Sequence, residues 1–307
     1  MIKTITSAEL SVNENFIVQK QHIKNGKSKK RICIVSGTHG DELEGQYVCY
    51  ELLRRINENL DLLNGTIDVY PALNPLGVNS MTRGIPQFDL DMNRIFPGNE
   101  NGTFAEYTAA KIIEDISGAD CVIDIHASNI FLREVPQVRI NEISAETLIP
   151  LAKMVNTDFI WVHSNATVLE GTLAYSLNTT GTPCLVVEMG VGMRITESYG
   201  KQLTDGILNL MKNLGMYSGE IESEIRNPIV SKDEKVSFIN ANSSGVFLPV
   251  AKHWTNVKKG EVIGKIISPL TGKILEEFKS ETDGIIFTIR EYPIVYEGSL
   301  IARILGE

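Results

Sequence analysis

Three short apolar runs, each ending in a histidine or an acid, constrain the fold of this chain more than any other feature. The runs ICIVSGTH, CVIDIH and CLVVE place His39, His126 and Glu188 at or just beyond their last residues. Apolar, β-branched runs of this length are typical of buried strands. In an open α/β sheet, ligands bind at the carboxyl ends of the strands, so these three side chains are expected to converge if the strands are parallel neighbours.

Helical patterns alternate with these strands. Residues 41–58 carry apolar side chains at helical spacing, residues 103–116 look helical from a threonine cap, and residues 198–216 form an amphipathic pattern that ends at a glycine. Strands that alternate with helices predict an α/β domain with a mostly parallel or mixed sheet. Residues 72–102 look irregular, and loops of that length in compact domains are usually functional or disordered.

The pattern changes after the acidic, proline-bearing segment GEIESEIRNPIVSKDE. Short strands with regular glycine turns follow, which predicts a small all-β domain over residues 226–307 after a first domain over residues 1–225. The run KKGEVIGKIISPLTGKILEEFKSETDGIIF resembles the lipoyl/biotinyl barrel-sandwich fold. The hairpin that carries a modified lysine in such domains is not recognisable, so we predict a barrel without a carrier role.

Composition limits the class of partner. The 307 residues carry a net charge of -9, with 43% hydrophobic and 22% charged residues, which is ordinary for a globular protein and argues against a nucleic-acid surface. No apolar run approaches the roughly 18 residues of a membrane helix, and the N-terminus lacks the apolar core of a secretion signal. We therefore expect a cytoplasmic protein. The four cysteines are expected to be buried free thiols, and His22, His163 and His253 to be surface or loop residues.

His39 and Glu42 are three residues apart, and His126 adds a distant third donor. On a turn that enters a helix, a spacing of three puts both side chains on one side, where they can bind one ion. Two histidines and a glutamate leave a fourth zinc position open. Asp124 is a candidate outer carboxylate, or simply shares a strand face with His126. The plain alternative is that Glu42 favours a helix dipole and His39 is a loop histidine.

Other polar residues suggest substrate contacts. Glu188 lies within an apolar strand, where a carboxylate is costly unless it is paired or functional. Arg83, Asn93 and Arg94 lie in the irregular stretch, and arginine forks bind carboxylates at two points. Alternatively, this stretch is a solvated loop in which Asp89 and Asp91 pair locally.

Four motifs, GTHGDELEG, DMNRIFPG, VIDIH and VVEMG, occur in that order over roughly residues 30–215. Together they resemble the succinylglutamate desuccinylase/aspartoacylase family, relatives of the zinc carboxypeptidases. The resemblance implies a carboxypeptidase-like mixed sheet with flanking helices, followed by the C-terminal β-domain. It also implies a zinc hydrolase, with one zinc per chain, that cleaves the amide of a small N-acyl amino acid.

The resemblance assigns roles to individual residues. His39, Glu42 and His126 correspond to the zinc ligands, and Glu188 corresponds to the general base. The acyl group and the amino acid are not specified by it. Self-association into a homo-oligomer is left open.

Arg83 corresponds to the group that polarises the scissile carbonyl, and Asn93 and Arg94 correspond to the carboxylate clamp.

Two other functions use the same residues. A zinc carboxypeptidase that removes a C-terminal residue needs the same clamp and metal. A non-catalytic zinc-binding scaffold needs the metal but no base, so Glu188 argues against it.

Overall fold

A large mixed β-sheet with helices on both faces positions the residues of interest. A computed structural model describes residues 1–164 and 170–306. The helices in these residues are α1 (Glu44–Glu58), α2 (Pro75–Ser80), α3 (Phe104–Ile116), α4 (Ala145–Ala152), α5 (Leu173–Thr179) and α6 (Glu197–Asn213). None of these helices, within the described part of the chain, is long and apolar enough to cross a membrane.

Two sheets contain nearly all of the extended chain. Residues before position 226 contribute β1 (Ile2–Glu9), β2 (Asn15–Asn25), β3 (Arg31–Val35), β4 (Gly65–Tyr70), β5 (Cys121–His126), β6 (Leu132–Asn141), β7 (Phe159–His163) and β8 (Cys184–Gly190). Later residues contribute β9 (Ile229–Lys232), β10 (Val236–Asn240), β11 (Gly245–Pro249), β12 (Asn256–Val257), β13 (Val262–Ser268), β14 (Lys273–Lys279), β15 (Gly284–Arg290), β16 (Ile294–Val295) and β17 (Leu300–Gly306).

The centre of the large sheet is parallel. Its strand order runs β1-β2-β4-β3-β5-β8-β6-β15-β17-β10, and β4, β3, β5 and β8 are mutually parallel neighbours. In this register Val35 lies opposite Asp124, and His126 lies opposite Glu188. The carboxyl ends of β3, β5 and β8 therefore meet at one edge of the sheet, which is the arrangement that the strand ends predicted.

Alternate residues of the parallel strands face two separate apolar cores. On β3, Ile32 and Ile34 pack into a core with α1 and α6, whereas Cys33 and Val35 pack into a core with α3 and α5. This alternation follows from the two-residue period of a strand. The threonine cap predicted for α3 is present as a capping box between Thr103 and Glu106. All four cysteines are buried free thiols, as predicted.

The C-terminal residues are all-β, as expected, and their strands fall into two groups. Four of their strands make a separate antiparallel sheet of order β14-β13-β11-β16. The others extend the large sheet: β15 pairs with β6, and β9 pairs with β7. A shared aromatic cluster includes Phe159, Trp161 and Phe287. The division of the chain at residue 226 stays a prediction, but strands from both sides of it share one sheet.

One local stretch differs from the sequence expectation. The stretch over residues 72–102 contains the short helix α2, which begins with Pro75 and is capped by the side chain of Asn74. Apart from this turn of helix, the stretch is held by 3-10 and β-bridge contacts. Proline at the first turn and an asparagine cap are favourable local signals, but six residues are too few for a hydrophobic period to show.

Deletion of residues 226–307 is expected to abolish cooperative folding of the remaining chain. The deletion would uncover Phe159 and Trp161, which are 0% and 3% exposed, and leave β6 and β7 with unpaired edges. Thermal unfolding by circular dichroism and size-exclusion chromatography would measure the effect. The variant Leu270→Ala alters a side chain that is 94% exposed and serves as the control. A shortened chain that stays monomeric and melts near the temperature of the full chain would refute the expectation.

Candidate metal centre and adjoining pocket

His39 and Glu42 lie on the turn that joins β3 to α1. The turn is tightly enclosed: Gly37 has φ +65°, and a Cβ on Gly40 would lie 1.9 Å from the backbone of Gly77. The N–H of Gly40 also donates to the carbonyl of Thr82 at 3.0 Å. Glycine is therefore required at position 40 by close approach of two backbones. The packing fixes the turn, and with it the direction of His39 and Glu42.

Glu42 lies between the two histidines. Its Oε1 is 2.9 Å from Nδ1 of His39, and its Oε2 is 2.9 Å from Nδ1 of His126. The three side chains are 3–4% exposed, and one donor atom from each lies within 4.8 Å of the others. The N–H of Ala127 donates to Glu42 Oε2 at 3.1 Å and holds the carboxylate in this orientation.

The outer nitrogen of each imidazole faces an aspartate. Nε2 of His39 is 3.1 Å from Asp91 Oδ1, and Nε2 of His126 is 3.1 Å from Asp124 Oδ2. The second contact lacks hydrogen-bond alignment, since neither His126 Nε2 nor the Asp124 carboxylate has a hydrogen-bond partner among the described residues. Carboxylates behind ligating histidines orient the rings and raise their basicity. Asp124 thus occupies the outer position suggested by its spacing, and Asp91 occupies a second one.

The three central groups shift one another's pKa values. Burial lowers the pKa of His39, but hydrogen bonds to Asp91 and Glu42 outweigh burial and raise that pKa. Burial also lowers the pKa of His126, and the charges of Asp124 and Glu42 outweigh it, so the net pKa is raised. Burial raises the pKa of Glu42, yet the two imidazoles hold it well below its ordinary value. Because an imidazole nitrogen binds a metal only in its unprotonated form, a metal ion and protons compete for these two rings.

The donor set fits a divalent transition metal. Two imidazole nitrogens and one carboxylate oxygen converge on one point, and zinc prefers nitrogen, oxygen or sulfur donors in such small sets. The alternative is that His39 and His126 are protonated and form ion pairs with the buried carboxylate of Glu42, without a metal. The aspartate behind each ring suits a metal site, because such carboxylates orient ligating imidazoles and raise their basicity.

Glu188 lies beside His126 at the end of β8, and two donors hold its carboxylate. The N–H of Ser128 donates to Oε2 at 2.7 Å, and Nη1 of Arg139 donates to Oε1 at 3.2 Å. Ser128 has φ +25°, a conformation that residues other than glycine rarely adopt. The side chain of Glu188 is 13% exposed and borders the cavity, so each of its oxygens can accept a further hydrogen bond from a substrate.

Arg83, Asn93 and Arg94 line the same cavity. Nη1 of Arg83 donates to Glu42 Oε1 at 3.1 Å, and its Nε donates to Asp91 Oδ2 at 3.3 Å. Arg94 is 3.8 Å from the same Asp91 carboxylate. Asp91 therefore pairs locally with Arg83 and Arg94, which is the alternative that the sequence left open, and it also contacts His39 at the centre.

Asn93 has a structural bond as well as a place in the cavity. Its side-chain oxygen accepts a hydrogen bond from the N–H of Leu173, the first residue of α5, at 2.9 Å. This bond fixes the amide group and leaves its NH2 as the donor for a ligand. The guanidinium of Arg94 donates to the carbonyl of Asn93 at 2.8 Å, and its side chain is 46% exposed.

The cavity has a volume of about 640 Å³ and extends across the sheet face beyond the predicted residues. Its lining also includes Arg139, His163 and Arg303. His163 was expected at the surface or in a loop; instead it ends β7, and burial together with the charge of Arg139 lowers its pKa to about 4. The imidazole is therefore neutral near pH 7. No spacing rule links these residues to the motifs, because β6, β7 and β17 meet only in the folded sheet.

Comparison with known proteins agrees with this fold. The family model described as the succinylglutamate desuccinylase/aspartoacylase catalytic domain matches residues 28–214. An N-alpha-acetyl-L-2,4-diaminobutyric acid deacetylase from Halomonas elongata is 22% identical over 293 residues, covering 92% of this chain and 83% of that protein.

Solved structures show the same architecture. A product-bound ectoine utilization protein from Ruegeria pomeroyi aligns with a TM-score of 0.83 at 19% identity, covering 98% of this chain and 93% of that one. A succinylglutamate desuccinylase/aspartoacylase from Rhodobacter sphaeroides aligns with a TM-score of 0.82 at 24% identity, covering 100% and 96%. At these identities the likeness establishes the fold and leaves the individual chemistry to the site itself.

We expect His126→Ala to weaken zinc binding by more than about 100-fold, since loss of a direct ligand should exceed the 10- to 100-fold cost of losing an outer partner. Metal content after dialysis against a graded series of zinc concentrations would measure this. His22→Ala removes a histidine that is bonded to Asp68, outside the centre, and should leave the zinc content unchanged. Equal zinc content in wild type and His126→Ala would sink the ligand assignment.

Proposed function

The chain belongs to the succinylglutamate desuccinylase/aspartoacylase family, and on that premise we propose that it is a zinc-dependent hydrolase that cleaves the amide bond of a small N-acyl amino acid. The observation that carries the proposal is the position of Glu188 beside His126, at the edge of the His39, Glu42 and His126 cluster. A deacylating base has to stand next to the metal centre without being one of its ligands.

The bound metal would be held by His39, Glu42 and His126. A bound zinc ion would supply Lewis acidity, for polarising the scissile carbonyl and for making water nucleophilic near neutral pH. The residues of the chain then have to move protons and hold charge. Their positions allow a role to be proposed for each.

Glu188 is the proposed proton carrier. Its carboxylate takes a proton from the attacking water and later delivers it to the nitrogen of the departing amine, so that the amide C–N bond breaks without release of an unprotonated amide anion. Ser128 and Arg139 fix the carboxylate during both transfers. A carboxylate held by two donors keeps its orientation when the substrate enters.

Arg83 is proposed to stabilise the oxygen of the scissile carbonyl as negative charge develops there. Its guanidinium already lies at the centre, 3.1 Å from Glu42 Oε1. Asn93 and Arg94 are proposed to bind the carboxylate of the amino acid. Arginine offers a planar fork and asparagine adds a donor, which suits a carboxylate better than an apolar group.

The family match is the reason for placing small N-acyl amino acids before peptides, since the matched family model is that of a desuccinylase/aspartoacylase catalytic domain and a relative is an N-acetyl diaminobutyric acid deacetylase. A zinc carboxypeptidase would use the same centre and clamp. Arg303 of β17 also lines the cavity, so the C-terminal segment contributes a cation to it.

The variant Glu188→Gln should retain zinc and fold but lose roughly 10²- to 10⁴-fold in turnover, because glutamine keeps the shape and cannot accept the proton. Turnover of a panel of N-acyl amino acids, zinc content and melting temperature should be measured on one preparation. Glu114→Gln changes an exposed carboxylate on α3 and serves as the matched control. Near-normal turnover in Glu188→Gln would reject the assigned base.

Conversion of the substrate carboxylate to a carboxamide should lower kcat/KM far more than lengthening an apolar part of the substrate by one methylene. The clamp loses charge-assisted hydrogen bonds, worth roughly 1.5–3 kcal/mol each, whereas a methylene is worth about 0.8 kcal/mol. Steady-state kinetics on the matched series of compounds would compare the two changes. If both changes cost the same, the clamp role is wrong.

A further inference from the structure

Glu134 on β6 is a completely buried carboxylate that the proposed reaction does not use. It lies opposite Thr288 of β15, and Thr288 in turn lies opposite Arg303 of β17. The three residues therefore form one row across three adjacent strands. The row joins a strand of the catalytic segment to two strands of the C-terminal segment.

Each oxygen of Glu134 accepts hydrogen bonds from more than one residue. Oε1 accepts from Arg303 at 2.7 Å and from Arg139 at 3.1 Å, with Ser128 Oγ at 3.4 Å. Oε2 accepts from the Thr288 hydroxyl and from the Gln137 amide. A buried carboxylate is stable in a protein only when its lone pairs are satisfied in this way.

Arg139 divides its guanidinium between two carboxylates. Nη2 donates to Glu134 at 3.1 Å and Nη1 donates to Glu188 at 3.2 Å, while Nε has no hydrogen-bond partner among the described residues. Both Arg139 and Arg303 also lie over the ring of Trp161, at 5.6 and 5.4 Å from its centroid. The hydrogen bonds to the two carboxylates thus decide how the guanidinium of Arg139 is turned.

We propose that Glu134 is a positioning residue: by holding one side of Arg139, it limits Glu188 to a single hydrogen bond from that arginine and leaves the rest of the Glu188 carboxylate free for water. The proposal rests on the function assigned above to Glu188. Thr288 and Arg303 fix Glu134, so the C-terminal strands take part in orienting the base. Without the charge of Glu134, Arg139 is expected to turn toward Glu188 and bind it through both Nη atoms.

The test compares wild type with Glu134→Gln and with the double variant Glu134→Gln/Arg303→Met, which removes one anion and one cation. In Glu134→Gln, kcat should fall on the order of 10- to 100-fold, as for a small misplacement of a catalytic group, with KM within about 3-fold and zinc content unchanged. In the double variant the balance of charge is restored, so the melting temperature should recover while kcat stays low.

A matched control breaks a neighbouring contact between the same strands. Glu291→Gln removes the ion pair between Glu291, which follows β15, and Arg133, which precedes Glu134 on β6. This ion pair involves neither Glu188 nor Arg139. Its kcat should equal that of wild type. An equal loss of kcat in Glu291→Gln would show that general loosening of this contact is responsible and would overturn the proposal.

The remaining outcomes separate positioning from stability. Wild-type kcat in Glu134→Gln, or kcat that recovers together with melting temperature in the double variant, would overturn the proposal. If Glu134→Gln alone does not fold, the charge-balanced double variant decides: wild-type kcat refutes the proposal, and low kcat together with two contacts between Arg139 and Glu188 in its crystal structure supports it. A crystal structure of a folded variant gives a readout independent of activity, with two contacts between Arg139 Nη atoms and Glu188 expected in place of one.

Glu188→Gln is assayed beside these variants. If it retains turnover, the proposed function fails, and the positioning role fails with it. If Glu188→Gln loses turnover while Glu134→Gln retains it, only the positioning role fails.

Discussion

The contact of Glu42 with two imidazoles is the interaction on which the functional architecture depends. A carboxylate buried to 3% exposure costs several kcal/mol in an apolar interior unless partners compensate it. Here His39 and His126 compensate it from two different strand ends, so the contact requires β3 and β5 to be parallel neighbours in one register. Glu188 comes to the same edge only because β8 is the next parallel strand.

The convergence of residues at the carboxyl ends of β3, β5 and β8 could be predicted because the sequence signals for it are local. A histidine or an acid at the end of an apolar strand is visible without knowledge of the fold, and the spacing of His39 and Glu42 limits their directions on a tight turn. Asp124 could be proposed for the same reason, since two residues along a strand return to the same face. The long stretch with Arg83, Asn93 and Arg94 was distinctive by its length and polarity alone.

The contacts of other pocket residues could not be predicted, because they depend on tertiary pairing. Arg139 reaches Glu188 only since β6 is antiparallel to β8 in a particular register, interrupted by a bulge. Arg303 of β17 reaches Glu134 across the one intervening strand, β15, and follows Glu134 by 169 residues in the chain. The strained φ of Ser128 likewise has no signature in a sequence that carries serine at a position suited to glycine.

The C-terminal segment accordingly has two physical roles in this structure. It covers the aromatic side chains Phe159 and Trp161, which would otherwise form an exposed apolar edge. It also supplies Thr288 and Arg303 to the hydrogen bonds around a buried carboxylate behind the cavity. A fully satisfied buried polar network specifies one arrangement of its members more strictly than apolar packing does.

The central claim is that one metal ion is held between His39, Glu42 and His126. Anomalous diffraction at the zinc edge from crystals of the zinc-loaded protein tests it most directly. The account predicts one strong peak per chain at about 2.0–2.2 Å from Nδ1 of both histidines and from a Glu42 oxygen. A zinc-loaded crystal with no peak there, or with its peak on other residues, would contradict it.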